Sequence, residues 1–271
     1  VSSMEYFPSV LLGLLQGATE FLPISSSGHL VLAEAFFKVE DAGLTFDVAL
    51  HMGTLIALLC YFRTDMLAMA ASLLKVAETA EDALNRKSAF LIVIATIPAV
   101  IVGLCLEHYA ETVFRRPALV ACTLTIGGLL LLWAEKYGSR SKAYQDIGLK
   151  DAMIIGLAQA LAIVPGVSRS GITMTAGLFR SFDRPSVARF SFLLSVPIIA
   201  GAGFLNCLKI VRQGGLQQGQ TAFFLIGFLA AAISGYCFIA FLMRYVETRS
   251  FAVFAYYRFV LAGLVLWAMV M

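Results

Sequence analysis

Six stretches of nearly unbroken apolar residues run along this chain, at about 46–63, 88–107, 117–134, 187–208, 221–243 and 251–271. Each approaches the roughly 20 residues that a helix needs to cross the hydrocarbon core of a bilayer, so each predicts a membrane-spanning helix. Two further apolar regions, about 8–36 and about 151–180, are long enough to cross but are interrupted near the middle, at LPISSSGH and VPGVSRSG. Backbone that leaves the helix at membrane depth finds no water for its N–H and C=O groups, so it must be buried in protein or line a cavity. Both regions are therefore expected to form re-entrant helix–loop–helix hairpins. Residues 64–77 read as an amphipathic segment lying along the membrane interface.

Composition agrees with this pattern. The chain is 60% hydrophobic and only 14% charged, with a mean hydropathy of +0.86. A soluble domain is about half apolar and about a quarter charged. At 271 residues, eight membrane segments with short loops use up the length, so residues 1–271 are expected to form one integral membrane domain of all-α, polytopic class. A net charge of +3 with no basic arm excludes a nucleic-acid module. The cysteines at 60, 105, 122, 207 and 237 are odd in number and lack CxxC or Cys/His spacing, so neither a disulfide framework nor a zinc site is expected. The first residues carry no basic n-region and no small-residue cleavage pattern, and no signal peptide is expected.

The two interrupted regions resemble one another. With GLLQGATEFLPISSSG set over GLAQALAIVPGVSRSG, the pairs Gly13/Gly156, Gln16/Gln159, Ser25/Ser168, Ser27/Ser170 and Gly28/Gly171 coincide at one offset of 143. The coincidences fall where each copy has its break, as an internal repeat requires. Repeat 1 covers about 1–135 and repeat 2 about 146–271. If each holds one hairpin and three crossings, the odd number forces the second to enter from the opposite side, giving two inverted-topology repeats. Charge tests the arrangement: the loops at 63–87, 135–150, 180–189 and 244–249 carry thirteen Lys/Arg, whereas the other side has Lys38, Arg115, Arg116, Lys209 and Arg212. The thirteen-charge side is then cytoplasmic, the first hairpin opens outward, and the two tips meet near the midplane.

Ionisable groups inside a membrane segment are costly, and Glu20, His29 and Arg169 sit in the interrupted regions. Gln16 lies one helical turn before Glu20 on the same face. Ser25, Ser26, Ser27 and His29 occupy the first loop and the start of its returning helix. Backbone N–H groups of a Ser/Gly-rich turn at a helix N-terminus suit an anion, here twice over. Arg169 adds a planar fork that matches phosphate bidentately. An anion cradle, guanidinium, hydroxyls, histidine and carboxylate are the parts of phosphoryl transfer, and a phosphate ester held in a membrane is the expected substrate.

At this point QGATEFLPISSSGH at 16–29 and PGVSRSGIT at 165–173 resemble the two signature motifs of the undecaprenyl-diphosphate phosphatase family, the bacitracin-resistance type. The likeness continues through FSFLLSVP at 190–197 and the YR at 257–258. Gln16 is no departure, since the family carries Glu or Gln there. The resemblance implies a multi-pass phosphatase of the bacterial inner membrane acting at the periplasmic face with a divalent cation, Mg²⁺ or Ca²⁺. Its reaction converts undecaprenyl diphosphate to the monophosphate and inorganic phosphate, so that the C55 carrier re-enters cell-wall synthesis.

The catalytic set expected from these residues is Glu20, Ser26, Ser27, His29 and Arg169. Glu20 is read as a cation ligand or general base, His29 as nucleophile or acid, and Ser26 as the first choice of hydroxyl. Gln16, Ser25, Ser168, Ser170, Gly171 and Thr173 are read as substrate-binding or loop-stabilising. Asp47 and His51, spaced i, i+4, are read as polar residues near a membrane edge without a metal, His108 as solvated, and Arg258 as structural. The surrounding partner is membrane lipid, and the pattern does not choose between a monomer and a homodimer. The rival is an inverted-repeat transporter or flippase of a lipid phosphate or small anion, which needs Arg169 and the cradle but gives Glu20, the serine cluster and His29 no work.

Overall fold

The computed structural model describes residues 6–37, 43–74, 79–114, 116–212 and 220–270. Lys38, Arg115 and the side chain of His108 lie outside the described residues. Among those described, all helices and no strands are found: α1 (Phe7–Phe21), α2 (Ser26–Phe37), α3 (Gly43–Tyr61), α4 (Arg63–Leu74), α5 (Ala80–Thr112), α6 (Pro117–Tyr137), α7 (Leu149–Ala160), α8 (Arg169–Phe179), α9 (Arg184–Arg212), α10 (Gln220–Thr248) and α11 (Ala252–Val270). Local chemistry fixes several starts. Asp82 N donates to Thr79 Oγ1 at 3.1 Å and Thr79 N to Asp82 Oδ2 at 3.2 Å, a capping box opening α5. Pro117 opens α6, where its missing N–H leaves no helix bond unmade.

Five helices, α5, α6, α9, α10 and α11, are long and apolar enough to cross a membrane, so the chain is a multi-pass membrane protein. The α3–α4 pair meets the same test of length and apolarity only when its two helices are taken together, and it bends by 77° between them. That bend separates the expected span at 46–63 from the segment after it. On α4, Leu67, Leu73 and Leu74 are exposed while Met69 and Ser72 are buried.

The two interrupted regions are helical pairs broken at Leu22–Ser25 and at Val164–Ser168. Each pair packs its own arms together, α1 on α2 and α7 on α8, and each first arm lies against a long helix of the other half, α1 on α10 and α7 on α5. Small residues allow those approaches, as in membrane bundles generally. A Cβ on Gly17 would overlap Ser234 Oγ and come within 2.6 Å of Ala231 O. Around the hairpins α3 packs on α9 and α6 on α11. Phe21, Leu58, Leu131, Phe190, Phe192 and Phe251 form part of the buried core.

The four basic loops bind one another. Lys87 Nζ donates to Gln145 O at 2.9 Å, and Arg189 pairs with Asp65. Arg184 grips Glu135 through Nε and Nη2 at 2.8 and 2.7 Å, while the Phe251 N–H donates to the same carboxylate at 2.7 Å. The loops counted together by charge therefore share one end of the molecule. Glu135, 8% exposed, ties three of them, and loss of one partner from such a buried pair costs about 3–5 kcal/mol.

Candidate active site

Both breaks use the same device. Ser25 and Ser168 stand at φ 75° and 69°, a left-handed conformation that a non-glycine residue holds only when its surroundings compensate. Ser25 Oγ accepts from Gly28 N at 3.2 Å, and Ser168 Oγ accepts from Gly171 N at 3.1 Å. Each serine thus caps its returning helix, satisfying an N–H that has no partner within that helix.

The breaks also satisfy each other. Gly166 N donates to Ser25 Oγ at 3.1 Å, and Ser170 Oγ donates to Leu22 O at 3.0 Å. The two broken loops therefore meet. Arg258 of α11, fully buried, completes the junction: Nη2 donates to Gly166 O at 2.8 Å, Val167 O at 3.0 Å and Thr123 O at 3.2 Å, Nε to Leu124 O at 3.1 Å, and Nη1 to Pro23 O at 3.5 Å. One guanidinium therefore serves carbonyls of both broken loops and of α6. Thr123 Oγ1 adds a bond to Pro165 O at 2.7 Å. Carbonyls freed by the breaks are paired inside the protein, as buried non-helical backbone must be.

Glu20, in the last turn of α1, is the centre of a polar cluster. Oε1 accepts from Arg169 Nη2 at 2.5 Å. Oε2 accepts from Ser26 Oγ at 2.5 Å and from Gln16 Nε2 at 3.0 Å. His51 Nε2 stands 3.5 Å from the same oxygen, with its Nδ1 on Asp47 O at 2.7 Å. Arg169 opens α8, where its Nη1 also reaches Ser191 O at 3.4 Å. Glu20, Ser26, Ser27, His51, Ser168 and Arg169 line one side of a cavity of about 260 Å³, together with Gln159 and apolar residues of α5 and α9. An apolar groove of about 410 Å³ shares Ala99, Gly103, Ile163 and Ile198 with it and runs past Leu104 and Leu205 to Lys209.

Four of the five expected catalytic residues therefore meet at the cavity: Glu20, Ser26, Ser27 and Arg169. His29 is placed elsewhere. Its Nδ1 lies 2.7 Å from Ser25 O and its Nε2 2.8 Å from Tyr257 Oη, with the two rings stacked. Both ring nitrogens are thus engaged in holding the first break to α11. Of the expected binding residues, Ser168 lines the cavity. Ser25, Ser170, Gly171 and Thr173 make hydrogen bonds within the protein, Thr173 Oγ1 to Arg169 O at 2.8 Å and against Ser191 Oγ at 2.7 Å. Gln16 is fully buried behind Glu20.

Two polar residues of the cavity, His51 and Gln159, fall outside the expected set. His51 was legible as an imidazole inside an apolar stretch, the same signal that singles out Glu20. Gln159 aligns with Gln16 at the offset of 143. Among the described residues neither its Oε1 nor its Nε2 has a hydrogen-bond partner, a condition that costs about 1–3 kcal/mol for each buried polar group. No cluster of three or more His, Cys, Asp or Glu that could hold a metal occurs among the described residues. Glu20 is the one carboxylate lining the cavity.

Fold and site together define a multi-pass membrane protein whose polar centre is assembled from two broken helices. The sequence profile described as "Bacitracin resistance protein BacA" matches residues 9–264, and the chain belongs to that family. It is 47% identical to the undecaprenyl-diphosphatase of Moorella thermoacetica over 262 residues, 97% of each chain. It is 46% identical to that of Rubrobacter xylanophilus over 266 residues, again 97% of each, and 47% identical to that of Gemmatimonas aurantiaca over 267 residues, 98% of each.

Proposed function

We propose that this chain is an undecaprenyl-diphosphatase, hydrolysing undecaprenyl diphosphate to undecaprenyl phosphate and inorganic phosphate. One observation carries the assignment of chemistry: Ser26 and Arg169 both bond Glu20 at the wall of the cavity. A hydroxyl hydrogen-bonded to a carboxylate is the arrangement of a nucleophile and its general base. In this reading Ser26 Oγ attacks the terminal phosphorus and its proton passes to Glu20. The bond from that phosphorus to the bridging oxygen breaks, and the electron pair leaves on undecaprenyl phosphate. Water then attacks the phosphoserine, releasing inorganic phosphate and restoring the Ser26 hydroxyl. Arg169 binds the non-bridging oxygens while still paired to Glu20, and Ser27 and Ser168 complete the wall. His29 and Arg258 are positioning residues that hold the loops in register.

A divalent cation, Mg²⁺ or Ca²⁺, would arrive with the diphosphate, because the cavity offers it one carboxylate and its remaining positions would fall to phosphate oxygens and water. Glu20 would be its protein ligand in the ground state, before the Ser26 proton reaches that carboxylate. Such an ion neutralises charge that develops on the phosphate oxygens. The prenyl tail lies in the apolar groove that joins the cavity.

The topology we favour is one membrane domain of two inverted repeats. Supporting it are the matched caps at Ser25 and Ser168 and the exchange of packing partners between halves, α1 on α10 and α7 on α5. Gathered at one end, the basic loops favour that end as cytoplasmic, which puts the site toward the periplasm of a bacterial inner membrane. Transport of a lipid phosphate is the poorer reading, since it leaves the Ser26–Glu20 bond without a purpose.

The deciding experiment is phosphate release from a prenyl diphosphate by purified protein in detergent, with and without Mg²⁺ or Ca²⁺, beside Ser26→Ala and Arg169→Ala. Cation-dependent release that both substitutions abolish is the expected result. Protein that binds the lipid but releases no phosphate under any condition would move the assignment to a transporter.

A further inference from the structure

Gln159 occupies the penultimate position of α7, is 3% exposed, and lines the same cavity as Glu20, Ser168 and Arg169. Buried carboxamides nearly always find partners, yet both polar atoms of this one are unpaired among the described residues. Its repeat counterpart shows the difference. Gln16 gives its Nε2 to Glu20 at 3.0 Å and does not line the cavity. Gln159 has no carboxylate to support, because the position equivalent to Glu20 is Ile163. A carboxamide carries a donor and an acceptor side by side, and a terminal phosphate offers matching groups, anionic oxygens that accept and a hydroxyl or bound water that donates. A prenyl tail or a bare cation engages at most one of the two.

We propose that Gln159 is a headgroup-binding residue of this site, donating from Nε2 to a non-bridging oxygen of the terminal phosphate and accepting at Oε1 from a hydroxyl or water on that same phosphate. The inference rests on the phosphatase reading. It assigns a recognition role to the second hairpin beyond Arg169.

The test uses full-length protein in detergent with farnesyl methylenediphosphonate, a diphosphate mimic that cannot be hydrolysed, as the binding probe. Gln159→Leu keeps the volume and removes both unpaired atoms. It is expected to weaken probe binding by about tenfold or more and to lower kcat/KM for farnesyl diphosphate at least as much, while its Tm stays at or above that of the parent. Gln159→Glu, which keeps size and polarity but sets a charge against the phosphate, is expected to lose binding likewise, and it decides the matter if the leucine variant does not fold. Binding and turnover within about twofold of the parent in either folded variant would overturn the proposal. So would a loss of binding that follows a fall in Tm in both variants, since that is the signature of a structural amide. A parent protein that binds the probe but releases no phosphate contradicts the phosphatase reading itself, and in that case Gln159→Leu still has to lose probe binding for this residue to keep its role.

Discussion

The two hairpins are built by one rule and differ in what they carry. Ser25 and Ser168 share a left-handed φ and the same cap three residues on, and the side-chain contacts Ser25–Ser27 and Ser168–Ser170, at 3.3 and 3.2 Å, repeat as well. At equivalent positions the chemistry diverges. The first hairpin has Glu20 where the second has Ile163, and Ser26 where the second has Arg169. Juxtaposing the breaks brings these residues together, so carboxylate and hydroxyl from the first hairpin meet a guanidinium from the second. A single hairpin holds only part of the site. The turn-building serines are the same in both hairpins, whereas two cavity-lining positions, Glu20 against Ile163 and Ser26 against Arg169, carry different groups.

The largest expected effect tests the charged pair across that junction. Arg169→Lys keeps the charge but loses the planar fork, and phosphate release by the purified variant is expected to fall by roughly 10²–10³-fold. Turnover near that of the parent would remove Arg169 from phosphate binding. Next comes Glu20→Gln, expected to lose a comparable share of turnover and, more tellingly, its response to added Mg²⁺ or Ca²⁺. A titration of activity against cation that keeps the parental shape would take Glu20 out of the cation site.

Truncating the adjacent serines Ser25 and Ser26 one at a time sharpens the contrast. Ser26→Ala is expected to lower kcat by at least 10²-fold with little change in Tm. Ser25→Ala removes a cap worth about 1 kcal/mol and is expected to lower Tm by a few degrees. Equal kinetic and thermal effects in the two variants would erase the division between turn-building and cavity-facing positions. Smallest is His29→Gln, which retains hydrogen-bonding capacity toward Ser25 and Tyr257. It is expected to reduce kcat by no more than about tenfold and to leave the pH profile of kcat unchanged. Loss of one limb of that profile would instead make His29 an acid or base in the reaction.

Much of this was legible in the chain because it rests on local chemistry. Apolar length predicted the spans that became α5, α6, α9, α10 and α11, and Pro, Gly and Ser in the middle of two others predicted the breaks. The cost of burying charge singled out Glu20 and Arg169, since an ionisable side chain at membrane depth needs a reason wherever the chain goes. His29 met the same criterion but does not line the cavity. The cost of burial demands a partner without naming it, and His29 finds Ser25 and Tyr257.

What the tertiary structure alone decided are the relations between distant segments. His51 reaches Glu20 from another helix. Arg258, near the end of the chain, supplies donors to Pro23, Gly166 and Val167. Gln159 and Gln16 differ in role because their surroundings differ. The physical reason is common to all three. Hydropathy and turn chemistry act over a few residues and can be read in order, but the aim of a side chain depends on which helices pack together and at what angle. That is set by contacts between small residues such as Gly17 and Ser234, more than two hundred residues apart in the sequence.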